Sequence, residues 1–199
     1  MKTKMEKAVN LLKSKGIVRS SEFADQGIDR VYITRLVRNG YARRVSRGLY
    51  EYIEREITEK TTVALVCKRI PKGVICLVSA LEFHNITTQM PRKIWIATER
   101  GTRIPRITDL PVRIMRFSGP AMREGIEEHQ VEGVKVKVYN IAKTIADCFK
   151  YRNKVGLDVA IEALRDVRRN KLATNDDLWR YAKICRVSKI MRPYMEAVS

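Results

Sequence analysis

Six arginines stand between residues 30 and 47 of this 199-residue chain, in "RVYITRLVRNGYARRVSRG". A guanidinium is planar, permanently charged and rich in N–H donors. It can take guanine O6 and N7 with two hydrogen bonds, or clamp a phosphate. The chemistry on offer is recognition of a polyanion. Arg35 and Arg38, with Thr34 and the bordering Arg30, are the side chains expected to face base edges. Arg43, Arg44 and Arg47 are expected to meet phosphates. Phosphate contacts would carry most of the affinity and make it depend on salt.

These residues need a frame that presents them together, and the flanking pattern supplies one. Met5, Ala8, Val9, Leu11 and Leu12 recur at helical spacing, which predicts a helix over 3–15 stopped by Gly16. Ser20 or Ser21 is expected to cap a short second helix, "SEFADQ", ended by Gly27. Asp29 is the expected cap of a third, which runs to about Asn39 before Gly40. Within it Tyr32, Ile33, Leu36 and Val37 share the side expected to be buried. Val31, Thr34, Arg35 and Arg38 share the other. Tyr41, Val45, Leu49 and Tyr50 then suit two short strands around a turn near Ser46–Gly48. Three helices followed by a small basic hairpin is the pattern of a winged helix-turn-helix, in which the third helix enters the major groove.

The whole chain agrees with an anionic partner. Lys and Arg number 40 against 22 Asp and Glu, a formal net charge of +18. Residues 1–55 hold 13 Lys/Arg and 6 Asp/Glu, so charge per residue is highest there. Nucleic acid and anionic membrane are the usual partners of such a surface. The longest apolar run, "GVICLVSALEF" (73–83), falls far short of the ~20 residues a bilayer span needs. "MKTKMEKAVNLLKSKG" lacks the apolar core of a signal peptide, so a cytoplasmic protein with no membrane partner is expected. Cys67, Cys76, Cys148 and Cys185 are scattered in apolar company, with no C-x-x-C. His84 and His129 have no second ligand near them in sequence. Reduced buried thiols are expected, with no metal and no cofactor.

Beyond residue 55 the pattern predicts a mixed α/β domain over 56–199, and the charged stretch 52–60 is the expected junction. "TEKTTVALVCKRIP" reads as a helix halted at Pro71, "VICLV" (74–78) as a buried strand, and Ser79 as the cap of "ALEFHN". "KIWIAT" (93–98), "VRIMRF" (112–117) and "VKVKVY" (134–139) read as strands. Four helices follow, in "NIAKTIADCFKY", "GLDVAIEALRDVRRN", "NDDLWRYAKICR" and "SKIMRPYMEAV". Thr174 and Asp177 are set as a capping box, and Pro193 lies inside the last helix. The fold class is therefore α+β: an N-terminal winged helix-turn-helix over 1–55, then a mixed α/β domain with a helical C-terminal tail.

Neither G-x-S-x-G, a P-loop nor H-E-x-x-H occurs, and no enzymatic activity is expected. Glu82, Glu99, Asp109, Asp147 and Glu162 are dispersed. Folding would have to gather them for the alternative reading, a metal-dependent nuclease. Asp147 and Glu162 are expected instead on helix surfaces or in structural ion pairs. A third reading, an RNA-binding module, follows from charge alone. Arg165, Arg168, Arg169 and Lys171 cluster at the end of one helix, where cations complement the negative pole of the helix dipole.

"GYARRVSRGLYEY", then "CLVSALEFHNITTQMPRKIWIA", then "VYNIAKTIADCFKYRNKVGLDVAIEALRD" together resemble the AbiEi-type antitoxins over nearly the whole chain. The Ser79–Thr88 block and the "KTIADCFKYR" helix carry most of the likeness. The resemblance implies a transcriptional regulator whose N-terminal domain binds inverted repeats in double-stranded DNA at its own promoter and represses the operon. It implies a C-terminal domain that counters a nucleotidyltransferase-like toxin of the AbiEii type, without a stable complex, as in type IV systems. It brings no catalytic residues.

Overall fold

The computed structural model describes residues 3–54, 59–87, 89–104 and 107–197. Two compact units emerge: Met1–Lys68 with Gln130–Lys135, and Arg69–His129 with Val136–Ser199. Residues 55–58 of the charged junction lie outside the described residues.

The first unit begins with α1 (Lys4–Lys15). The Thr3 hydroxyl accepts from Glu6 N–H at 3.2 Å, and the Glu6 carboxylate accepts from Thr3 N–H at 2.9 Å. This reciprocal cap satisfies two donors the helix cannot use internally. A three-residue strand, β1 (Ile17–Arg19), follows, then α2 (Ser20–Asp25), α3 (Arg30–Arg38), β2 (Ala42–Ser46), β3 (Leu49–Tyr52) and α4 (Glu59–Arg69). β1, β3 and β2 form an antiparallel sheet in that order, with β3 central. Ala8, Leu12, Val18, Phe23, Ile28, Ile33, Leu36 and Ala42 make one buried cluster, with Tyr50 and Tyr52 packed against it. Three helices thus close over one face of the small sheet.

Several expectations need correction here. Neither Ser20 nor Ser21 caps α2. Arg19 occupies the cap position, and its N–H donates to the Glu22 carboxylate at 2.8 Å. The short β1 had drawn the chain into extended backbone up to Arg19. Asp29 does precede α3, but its carboxylate pairs with Lys4 at 2.9 Å and makes no cap bond. Val37 is 40% exposed, not buried. At about 100° per residue it lies about 70° from the centre of the Ile33–Leu36 stripe, at the rim. Tyr41 lies outside both strands and is 42% exposed.

A five-stranded sheet, most of whose residues lie in the second unit, runs in the order β6 (Val112–Phe117), β5 (Ile94–Glu99), β4 (Val74–Ile75), β8 (Val134–Tyr139), β7 (Ile126–Val131). β5 pairs parallel with β6 and antiparallel with β4, which pairs parallel with β8. The helices are α5 (Leu77–Phe83), α6 (Pro120–Arg123), α7 (Ile141–Lys150), α8 (Arg152–Val155), α9 (Leu157–Arg169), α10 (Asn175–Ile184) and α11 (Ser188–Ala197). The expected strand over 74–78 stops at Ile75: Cys76 N–H still donates to the Trp95 carbonyl at 3.0 Å, but Leu77 takes the left-handed φ of 53° that opens α5. Ser79 therefore caps nothing. Its hydroxyl accepts from Trp95 N–H at 3.0 Å and ties α5 to β5. Thr174 does cap α10, accepting from Asp177 N–H at 3.1 Å.

α7 is the centre of this unit, with eight consecutive residues buried from Ala142 to Phe149. One of them is Lys143. Its ammonium meets Asp147 Oδ2 at 2.5 Å, and both residues are 0% exposed. The Cys185 thiol donates to Asp147 Oδ1 at 3.2 Å, and the ammonium lies 4.0 Å from the centre of the Tyr139 ring. Asp147 is thus in a structural ion pair, and inside the core rather than on a helix surface. All four cysteines are free and buried, and burial pushes the Cys67 thiol up to about 12.

Candidate nucleic-acid interface

Ile33 and Leu36 plug α3 into the first unit's core, and that choice decides what its other side offers. Val31, Thr34, Arg35 and Arg38 fall within about 100° of arc opposite the core, with Arg30 at the edge. All five are exposed. Arg30 and Arg38 have no side-chain partner among the described residues. The Arg35 guanidinium lies 5.4 Å from the centre of the Tyr32 ring, three residues back on the helix.

The hairpin carries the second set. In β2–β3 the register pairs Arg43 with Glu51 and Arg44 with Tyr50, and Val45 forms a bulge between Arg44 and Ser46. Arg43, Arg44 and Arg47 are all exposed. Their surroundings differ. The Arg43 guanidinium is held by Glu51 at 2.7 Å, and the Glu51 side chain is only 5% exposed. Arg44 Nε donates to the Ser46 carbonyl at 3.3 Å. Arg47, at the turn, has no side-chain partner among the described residues. Arg43 is half committed to the protein, whereas Arg47 has all its donors to offer.

The hairpin is fastened to the helices. Ser20 N–H donates to the Gly48 carbonyl at 2.9 Å, and Tyr52 N–H to the Gly16 carbonyl at 2.8 Å. Gly48 sits at φ 69°, where an added Cβ would come within 3.3 Å of the Ser20 hydroxyl. Glycine lets the turn close against the start of α2. On the α2 side, the Arg19 guanidinium donates to the Lys68 carbonyl, and Lys68 meets Glu22 at 2.5 Å. Burial raises the Glu22 carboxyl, but Lys68, the Arg19 N–H and Lys15 together hold it below its ordinary value. The Ser20–Gly48 and Tyr52–Gly16 bonds tie the hairpin turn to the start of α2 and β3 to the end of α1.

The seven side chains expected from the sequence are all exposed in the structure. Sequence reasoning missed Glu51 as the anchor of Arg43, because a lone acid in a basic run gives no sign of its cross-strand partner. It also missed the groove of about 400 Å³ between α2 and α3, lined by Ser20, Ser21, Gly27 and Arg30 among others. The dispersed acids stay apart. Glu99 pairs with Arg123 at 3.6 Å, Asp109 with Arg69 at 2.5 Å, and Asp147 with Lys143. Glu162 is exposed on α9. Among the described residues no three His, Cys, Asp or Glu side chains are grouped to hold a metal ion. Among them, too, no helix is long and apolar enough to cross a membrane.

Residues 6–53 match the family described as transcriptional regulator, AbiEi antitoxin. The matched span, about a quarter of the chain, runs from within α1 to just past the end of β3. In fold, the chain is similar to the RV2827C protein from Mycobacterium tuberculosis, whose crystal structure it matches with a TM-score of 0.62 at 14% identity. The match covers 92% of this chain and 72% of that one. No curated protein sequence matches the chain.

Proposed function

We propose that the protein is a DNA-binding autorepressor and the antitoxin of a toxin–antitoxin system. Residues 1–55 serve as a winged helix-turn-helix and 56–199 as the antitoxin domain. The observation that carries this reading is that α3 and the β2–β3 hairpin belong to one compact unit and expose all six arginines. α3 enters the major groove, where Arg35 and Arg38 reach base edges and Thr34 and Arg30 assist. Arg44 and Arg47 rest on phosphates, and Arg43 adds a weaker contact while holding Glu51. The operator is inverted repeats at the protein's own promoter. The antitoxin domain counters a nucleotidyltransferase-like toxin without a stable complex.

Binding of the full chain to duplex DNA from upstream of its own gene tests the reading, with a scrambled duplex and a structured RNA as competitors. Arg35→Ala costs about 1–3 kcal/mol on the operator and relaxes preference at one base position. Arg44→Ala weakens operator and scrambled DNA alike. Equal losses for both variants on both duplexes would overturn the groove assignment, and preference for the RNA would overturn the operator.

A further inference from the structure

A second cationic feature lies in the other unit. A cavity of about 540 Å³ opens where α7 and α10 end beside the loop into α6. Lys150, Lys183 and Arg186 line it, with Ser118, Pro120 and Ile184. No carboxylate lines it. Three like charges lining one concavity repel each other, and an anion seated among them lowers that cost.

The ordinary reason for cations at helix C-termini is to satisfy the last carbonyls. Here the chain has largely met that need by other means. Tyr151 N–H donates to the Asp147 carbonyl at 2.9 Å, and the Arg152 guanidinium to the Phe149 carbonyl at 3.1 Å. At the end of α10, Cys185 N–H donates to Tyr181 at 2.8 Å, Arg186 N–H to Lys183 at 3.0 Å, and Val187 N–H to Ala182 at 2.8 Å. Lys150, Lys183 and Arg186 have no hydrogen bond or ion pair from their side chains among the described residues. Lys150 only lies 5.9 Å from the centre of the Tyr151 ring. Arg186 also stands at φ 59°, the position that closes a helix and that glycine fills without strain. The chain keeps an arginine there, and it lines the cavity.

We propose that this cavity binds a phosphate group attached to an organic body. The three cations and the Ser118 hydroxyl take the phosphate oxygens, and Pro120 and Ile184 offer an apolar shelf for the attached group. The volume suits a nucleotide, within the roughly 300–1,000 Å³ usual for small-ligand sites. A free nucleotide and the phosphorylated end of a nucleic-acid strand share this chemistry. The proposal is independent of the operator reading.

Calorimetric titration of the full chain with ATP, inorganic phosphate, and a short oligonucleotide with or without a 5′-phosphate tests it. ATP binding that is weakened about tenfold or more in Lys183→Gln/Arg186→Gln, and kept in Arg165→Gln/Arg168→Gln, supports the site. Lys150→Gln alone gives a smaller loss in the same direction, and serves if the double variant does not fold. Binding of the 5′-phosphorylated oligonucleotide but not of ATP supports the site with a strand end as its source. Inorganic phosphate binding as tightly as ATP supports the anion cradle and removes the apolar shelf. No binding of any probe by the unaltered protein overturns the proposal, as does equal loss in the two double variants. Arg44→Ala leaves ATP affinity unchanged, so failure here and failure at the operator remain distinguishable.

Discussion

Asp147 and Lys143 lie one turn apart on α7, and neither touches water. Burial pushes the Asp147 carboxyl up, while Lys143 and the Cys185 thiol pull it back toward the charged form. Such a pair contributes little net stability, but leaving one half of it unpaired costs a great deal. Lys143→Met is therefore expected to destabilise the protein by about 3–5 kcal/mol, read as a lower urea midpoint. The double variant Lys143→Met/Asp147→Leu recovers most of that loss, because no uncompensated charge remains. If the double variant is as unstable as the single, packing rather than the stranded carboxylate sets the cost. The sequence hid this pair. Lys143 and Asp147 are spaced like any exposed i,i+4 ion pair, and only the aromatic shell of Tyr139 and Phe117 turns that spacing inward.

Elements with a strong period were legible in the sequence. β6 and β8 fall where alternation put them, and α7, α9 and α10 where the apolar stripes and the Thr174 cap put them. The elements that were not legible are short or lack an apolar face. β1 and α6 have three and four residues, and β7 is the polar run IEEHQV on a sheet edge. The candidate interface was readable because its arginines are local in sequence. Its anchoring was not, because Lys68 lies 46 residues from Glu22. That anchor titrates. The Glu22 carboxyl is held below its ordinary value of 4.5, so the native state binds fewer protons there than the unfolded chain. Its contribution is complete above that value and is lost as pH falls through the lower, folded one. Glu22→Gln should flatten the acid limb of a stability–pH curve below the ordinary value of 4.5; an unchanged limb would show that the anchor adds nothing. Gly125 makes a sterner test of tertiary fit. At φ 76° an added Cβ would stand 2.8 Å from Lys143 Cβ and 3.1 Å from the Tyr181 ring. Gly125→Ala is expected to cost roughly 2–4 kcal/mol, combining left-handed strain with overpacking, and a thermal midpoint within error of the parent would contradict it.

Across the whole molecule the charge of +18 is divided in kind as well as in place. Some cations are bound to the protein itself: Arg169 meets Asp166 at 2.9 Å, Arg180 meets Glu124 at 3.1 Å, and Arg43 meets Glu51. A paired guanidinium releases few counterions when DNA arrives, because its charge is already partly neutralised. The unpaired ones carry the polyelectrolyte effect, with a slope of log K against log salt of about −0.9 per phosphate neutralised. Removing Arg44 and Arg47 together should make the operator slope shallower by about 1.8, and should do the same on scrambled DNA, since phosphates are common to both. Arg43→Ala should change it by less, because Glu51 competes for that guanidinium. Arg165→Gln/Arg169→Gln, on the far end of α9, should leave both slopes unmoved. Titrations from about 50 to 200 mM salt span the range in which these differences are large. A shallower slope in the α9 variant would mean that the C-terminal helices also lie on the duplex, and that the hairpin is only part of the electrostatic footprint.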